Sequence, residues 1–295
     1  MFDLRYHVAS LAAVFVMLAV GILIGVGISG RGFVDDAERN RFNAKIAGLE
    51  EQVDAANATS GDLERRQQAA EEFVESAYPA LSAKRLDGKN LAILVLGPVD
   101  PTVSAVERAI EEDGDGHVSR MRSLVLPLRR DAVEAAVASK PELGGYVGDQ
   151  QLGNLGRDLG RELAAGGATP LWDVLERELV EVREGGLAEP VDGVIVMRTA
   201  EPQAGATSRF LAGMYQGLGS AGVPVAAVEP TRVEQSAIPV FQRSRLSTVD
   251  GVDTPVGALA MLLVLADPDA AGNYGMRDTA DRILPPIEPL PASGG

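Results

Sequence analysis

The chain has 295 residues, a length that suits about two structural units, and 46% of them are hydrophobic, enough for a sizeable core. Its formal net charge is −15, with 42 acidic residues against 27 lysines and arginines, which argues against nucleic acid as a partner because phosphate binding needs a concentrated basic surface. Cysteine is absent, so disulfides, thiolate metal sites, iron–sulfur clusters and cysteine nucleophiles are excluded.

Residues 8–28 read VASLAAVFVMLAVGILIGVGI, with no charge and Ser10 as the only polar side chain. About 20 apolar residues cross the hydrocarbon core as a helix, which satisfies its own backbone groups there. A cleaved signal peptide has a shorter apolar region, about 7–15 residues, and a small-x-small cleavage site. Ile28-Ser29-Gly30-Arg31-Gly32 is a poor match for one. The expectation is an uncleaved single-pass anchor over residues 1–32, with the lipid bilayer as its partner. Arg5 and Asp3 on one flank, and Arg31, Arg39 and Arg41 diluted by Asp35, Asp36 and Glu38 on the other, leave its orientation undecided. Gly21, Gly25 and Ser29 recur every four residues on one helix face, a spacing that lets two membrane helices approach.

Residues 33–86 turn to Glu, Asp, Arg, Gln and Ala. Apolar residues there follow a heptad: Ile46, Val53 and Val74 at a, and Leu49, Ala56, Leu63, Ala70 and Ala77 at d. Ser60 and Gln67 fall at a positions, and Gly61 lowers helix propensity between them. A helix of this length extends roughly 60 Å at about 1.5 Å per residue. The expectation is a coiled-coil stalk forming a parallel homodimer above the anchor. Its contacts are Gly21, Gly25, Ser29, Ile46, Leu49, Val53, Leu63 and Val74.

Residues 87–285 read as a soluble domain. Continuous apolar runs at 91–96, 191–197 and 223–228 suit strands buried on both faces, with weaker candidates at 123–126 and 247–249. Helix candidates lie at 102–112, 130–138, 152–165, 171–183, 207–220 and 255–266. The alternation predicts an α/β fold: a three-layer sandwich around a mainly parallel sheet. The 255–266 segment is almost wholly apolar but too short to span a membrane, so it reads as a core helix. Gly153, Gly156 and Gly160 share one face of their helix and suit close packing against a neighbour. A flexible Pro-rich tail is expected over 286–295.

No catalytic residue, cofactor site or metal site emerges. The turn after the first strand, Gly97-Pro98-Val99-Asp100-Pro101, carries neither dinucleotide nor P-loop glycines. A G-x-S-x-G elbow is missing. His117 is the one imidazole outside the membrane boundary, and Glu111, Glu112, Asp113 and Asp115 read as a solvated helix end. Cu(I) prefers thiolate and thioether ligands, and the seven methionines form no M-x-x-M cluster. The strand candidates are short and continuous, unlike the alternating ten-residue segments of a membrane β-barrel.

Several stretches carry a family resemblance. They are Ser10-Leu11-Ala12-Ala13-Val14-Phe15, Leu18-Ala19-Val20-Gly21-Ile22-Leu23-Ile24-Gly25, Ser247 to Gly257 (STVDGVDTPVG) and Asn273-Tyr274-Gly275. Their order, with heptads between, resembles the actinobacterial MctB family, also called SteB-type proteins. The resemblance implies a non-enzymatic role in copper transport or copper homeostasis in the cell envelope. It also implies an alternative: a scaffold that binds a second membrane protein and promotes a peptidoglycan hydrolase during cell separation. Either places the soluble domain outside the cytoplasmic membrane. Asp250, Asp253 and Thr254 are the motif residues singled out, for contacts or for capping the helix that follows.

Overall fold

The structure is a computed structural model describing residues 4–29 and 33–289, with side chains at 8–27 and 38–289. It divides into two compact units, Met1–Ala70 and Glu71–Gly295. Asp3, Arg31, the side chains of Arg5, Ser29, Asp35 and Asp36, and residues 290–295 of the expected tail lie outside what is described.

The first unit holds α1 (Leu4–Ser29) and most of α2 (Phe33–Ser82). Within α1, residues Val8–Gly27 are long and apolar enough to cross a membrane, and every side chain there is exposed. In α2, Arg65 and Arg66 pair with Asp62 at 3.4 and 2.9 Å, one helical turn apart, beside the weak point at Gly61.

The second unit contains a seven-stranded sheet in the order β3-β2-β1-β4-β5-β6-β7. Its strands are β1 (Asn90–Leu96), β2 (His117–Leu124), β3 (Val180–Glu184), β4 (Gly193–Arg198), β5 (Val225–Glu229), β6 (Ser247–Asp250) and β7 (Asn273–Tyr274). All neighbours run parallel except β2 and β3. This is the expected α/β class. The helices are α3 (Pro101–Arg108), α4 (Arg130–Ala138), α5 (Leu152–Ala165), α6 (Pro170–Leu179), α7 (Gly205–Gly219), α8 (Ile238–Arg243) and α9 (Pro255–Ala266).

Side-chain alternation along the central strands builds two separate cores. Ala92, Leu94, Leu96, Val194, Val196 and Ala227 face the layer of α4 to α8. Leu91, Ile93, Val95, Ile195, Met197 and Val228 face α3 and α9. Each fully buried Leu or Ile contributes about 1.5–3 kcal/mol. A slip of one residue would exchange every side chain between the two layers, so the register is firmly specified.

The glycines of α5 do pack closely. A Cβ at Gly156 or Gly160 would run into the backbone carbonyls of Phe210 and Met214 on α7. A Cβ at Gly213 or Gly217 would run into the carbonyls of Gly153 and Arg157 in return. The two helices thus meet backbone to backbone, around the rim ladder of Arg157 to Gln216 at 3.0 Å and Arg161 to Ser220 at 3.3 Å.

Some boundaries differ from the sequence reading. The helix expected over 171–183 stops at Leu179, and Val180–Glu184 continues as the antiparallel edge strand β3. Val180 and Val182 suit a strand, and alternating charge suits an edge. The strand expected from Ser123 begins at His117. Its inward-pointing arginines disguise it. Arg120 and Arg122 are 1% and 2% exposed. Arg120 donates to the carbonyls of Leu163, at 3.0 Å, and Glu189. Arg122 donates to the carbonyl of Glu184 and approaches Oε1 of Glu176 at 2.6 Å without in-line geometry. The acidic run is only partly solvated: Asp113 accepts a 2.7 Å hydrogen bond from the Tyr78 hydroxyl.

Candidate functional site at the carboxyl edge of the sheet

Ligands of open α/β sheets gather outside the carboxyl ends of the strands, where the strand order reverses. Here that point lies between β1 and β4. It is sewn shut. The Leu96 carbonyl accepts from both Thr199 N, at 3.2 Å, and Ala200 N, at 3.0 Å. The Thr199 hydroxyl donates to the Pro98 carbonyl at 2.7 Å. Gly97, at φ 123°, has no room for a side chain against Ala200.

The start of α3 offers no free anion site. Asp100 accepts from Thr102 N at 2.8 Å, its carbonyl accepts from Val103 N at 3.1 Å, and Pro101 has no N–H. A carboxylate of the chain itself occupies the place where a phosphate would sit.

Beyond this seam two open clefts remain. One, of about 330 Å³, is walled by Asp100, Arg198, Glu201, Arg232 and Glu234. The other, of about 560 Å³, is bordered by Thr231, Asp250, Met276 and Arg277. The segment after β5 forms a wall of both.

Under the second cleft lies a continuous polar lattice. Glu229, 2% exposed, closes the apolar strand β5. Its carboxylate accepts from the Ser236 hydroxyl at 2.8 Å and from Ala237 N at 2.9 Å, and pairs with Arg277 Nε at 3.1 Å. Arg277 also donates to the Thr231 carbonyl at 3.1 Å. Asp250, 6% exposed, accepts from Met276 N at 2.9 Å and Arg277 N at 3.2 Å. Asp253 accepts from both N and Oγ1 of Thr231, at 2.6 and 2.8 Å.

Thr254 accepts from Gly257 N at 3.2 Å, the N-cap of α9, and donates to the Gly251 carbonyl at 2.7 Å. Pro255 follows at the first helical position, where no N–H is needed. Gly257 lies so close to the Gly251 carbonyl that a side chain would not fit.

The three motif residues Asp250, Asp253 and Thr254 therefore stand together, and their visible work is structural: they bind the ends of β5, β6 and β7 to the start of α9. Glu229 and Arg277 complete the lattice and are missing from the sequence reading. A charged residue ending the apolar run of β5 was a usable signal for Glu229. Nothing local marks Arg277.

Four of the side chains expected at a dimer contact are open in the chain. Ile46 is 44%, Leu49 52%, Val53 56% and Leu63 61% exposed. Nothing stands within 4 Å of where a Cβ would be at Gly21 or Gly25. Val74 is half-buried and belongs to the second unit.

Donors for a metal ion do not converge. Among the described residues no three His, Cys, Asp or Glu side chains come together to hold one. His117 is solvent-facing, 3.7 Å from Glu111. Met121, Met197, Met214 and Met261 are core residues, while Met276 is 72% exposed.

These elements define a class: an α/β-domain protein that also carries an apolar helix long enough to cross a membrane. The chain belongs to the MctB family. The family model described as "Copper transport outer membrane protein, MctB" matches residues 1–285. Curated relatives named "Copper transporter MctB", from Mycobacterium bovis and Mycobacterium tuberculosis, are 27% identical, over 93% of this chain and 95% of their own length.

Proposed function

We propose that this chain is a non-enzymatic, membrane-anchored protein of the cell envelope that serves copper homeostasis. It crosses the cytoplasmic membrane once, through Val8–Gly27, with its α/β domain outside. The observation that carries the proposal is the family match over residues 1–285, which takes in the apolar helix, the long helix and the α/β domain together. An open sheet ending in a charged edge strand, and buried on both faces, belongs to a soluble domain and not to a barrel wall.

The donor set speaks for action through other proteins. With no cysteine, and with most methionines in the core, one chain has little with which to pass Cu(I) along a path of its own. The exposed seam of α2 suits a parallel homodimer, since two copies anchored in one bilayer run in the same direction.

A second reading, favoured by that same seam, is a dimeric SteB-type scaffold that binds a membrane partner and promotes a peptidoglycan hydrolase in cell separation. Purification of the full chain from membranes, with metal analysis and identification of co-purifying proteins in one sample, separates the two. Stoichiometric copper, or a co-purifying copper-handling protein, supports the homeostasis role. A reproducible partner that binds cell-wall hydrolases, with no copper link, supports the scaffold.

A further inference from the structure

Arg198 ends β4, Tyr215 stands on α7 and Arg243 ends α8. Together with Ser208, Leu211 and Val240 they line a partly open pocket of about 180 Å³. At about 30 Å³ for each water, that is room for roughly six non-hydrogen atoms.

Charge sets this pocket apart. The chain carries a net charge of −15, yet both charged side chains here are arginines and no carboxylate lines the walls. Among the described residues, neither arginine forms an ion pair. Arg198 donates one N–H to the Gln235 carbonyl at 2.7 Å, and Arg243 is exposed.

Tyr215 supplies the second observation. It is 3% exposed, and its ring is fixed edge-on against Phe241, 5.2 Å between centroids and 80° between planes. Among the described residues its hydroxyl has no hydrogen-bond partner. Burial raises the phenol well above its ordinary value, against the opposing charge of Arg198, so it remains a donor at neutral pH. The hydroxyl borders the pocket, where it can donate to an acceptor of a bound ligand. The remaining walls are largely apolar, which suits a ligand with an aliphatic body over a bare inorganic anion.

We propose that this pocket binds a carboxylate with a short aliphatic body, held by Arg243 and Arg198 with the Tyr215 hydroxyl as third donor. A free short-chain acid and the C-terminal carboxylate of a peptide share this chemistry.

The test is calorimetry on the full chain in phospholipid nanodiscs, with valerate, N-acetyl-alanyl-alanine and the neutral isostere valeramide as probes. One of the two acids binds and valeramide does not; the tighter acid identifies the source. Arg243→Ala, at an exposed position, weakens binding about tenfold or more, the weight of a charge-assisted pair. Tyr215→Phe, which keeps the ring packing, weakens it about threefold to tenfold. Failure of both acids to bind at about 20 mM, equal binding of the amide, or unchanged affinity in Arg243→Ala overturns the proposal.

Discussion

The carboxylate of Asp250 occupies the space that a side chain at position 275 would need. Gly275 sits at φ 135°, and a Cβ there would run into both carboxylate oxygens. The two C-terminal motif stretches, far apart in sequence, are thus neighbouring strands whose residues interlock. Gly275→Ala combines backbone strain with overpacking and is expected to cost about 3 kcal/mol. Asp250→Ala leaves two amide N–H groups without an acceptor and costs about 2 kcal/mol. In the double variant the clash is gone, so thermal denaturation of the full chain should give a loss below the sum by about 1 kcal/mol or more. Strict additivity would mean that the two residues are independent.

The α5–α7 contact separates glycines that must be glycine from one that need not be. Gly156→Ala places a methyl group against the Phe210 carbonyl and 3.0 Å from Met214 N, so the helices must part. The expected loss is about 2–3 kcal/mol, a fall in Tm of roughly 4–10 °C for a domain of this size. Gly153→Ala meets nothing nearer than the Arg209 carbonyl at 3.8 Å. There helix propensity decides, and the variant should be neutral or up to about 1 kcal/mol more stable. Equal effects at both positions would refute the packing account.

Glu162, on α5, caps the neighbouring helix α6 by accepting from Leu171 N and Trp172 N, each at 3.2 Å. Burial raises its carboxyl above the ordinary value of 4.5, although the two backbone hydrogen bonds oppose the rise. The folded state therefore holds this proton more tightly than the unfolded chain. Its contribution to stability is fully present below 4.5 and declines as pH rises through the raised folded value. Glu162→Gln keeps an acceptor oxygen and removes the titration. Chemical denaturation from pH 4 upward should show a flatter decline for the variant than for the parent over that window. Identical slopes would assign the pH dependence to other groups.

The heptad seam of α2 is expected to hold two copies together. Ile46→Asp with Val53→Asp places charges at two a positions and should reduce the full chain in nanodiscs or mild detergent from dimer to monomer, as read by light scattering. Gly61→Ala, with the nearest atom Arg65 Nη1 at 3.7 Å, should strengthen the helix by about 1 kcal/mol and the dimer with it. A monomeric parent chain would remove the dimer from the account.

Much of this architecture was open to reading from pattern alone. The apolar runs that became β1, β4 and β5 are buried on both faces, so polar residues are confined to their ends, as at Asp192 just before β4. Helices α4, α5 and α9 have clear periodicity or clear termini, and the glycines of α5 announced a close neighbour. Strand β2 was obscured because Arg120 and Arg122 point inward, which local hydrophobicity scores as surface. Strand β3 was hidden because no glycine or proline separates it from α6. Strand β7 is two residues long, too short for a sequence pattern, and is defined by its pairing with β6. At the sheet edge, Asp250, Asp253 and Thr254 stood in one conspicuous stretch. Their partners Glu229, at the end of β5, and Arg277, in the segment after β7, come from elsewhere in the chain, a juxtaposition that only the fold creates.

Copper content of intact cells is the most direct measurement of the proposed role. Cells lacking this chain should accumulate copper when grown in copper-supplemented medium. The full chain should restore the normal level, and the chain with Val8–Gly27 deleted should not. Unchanged copper in the deletion strain, with cells remaining joined after division, would contradict the homeostasis role and leave the scaffold in its place.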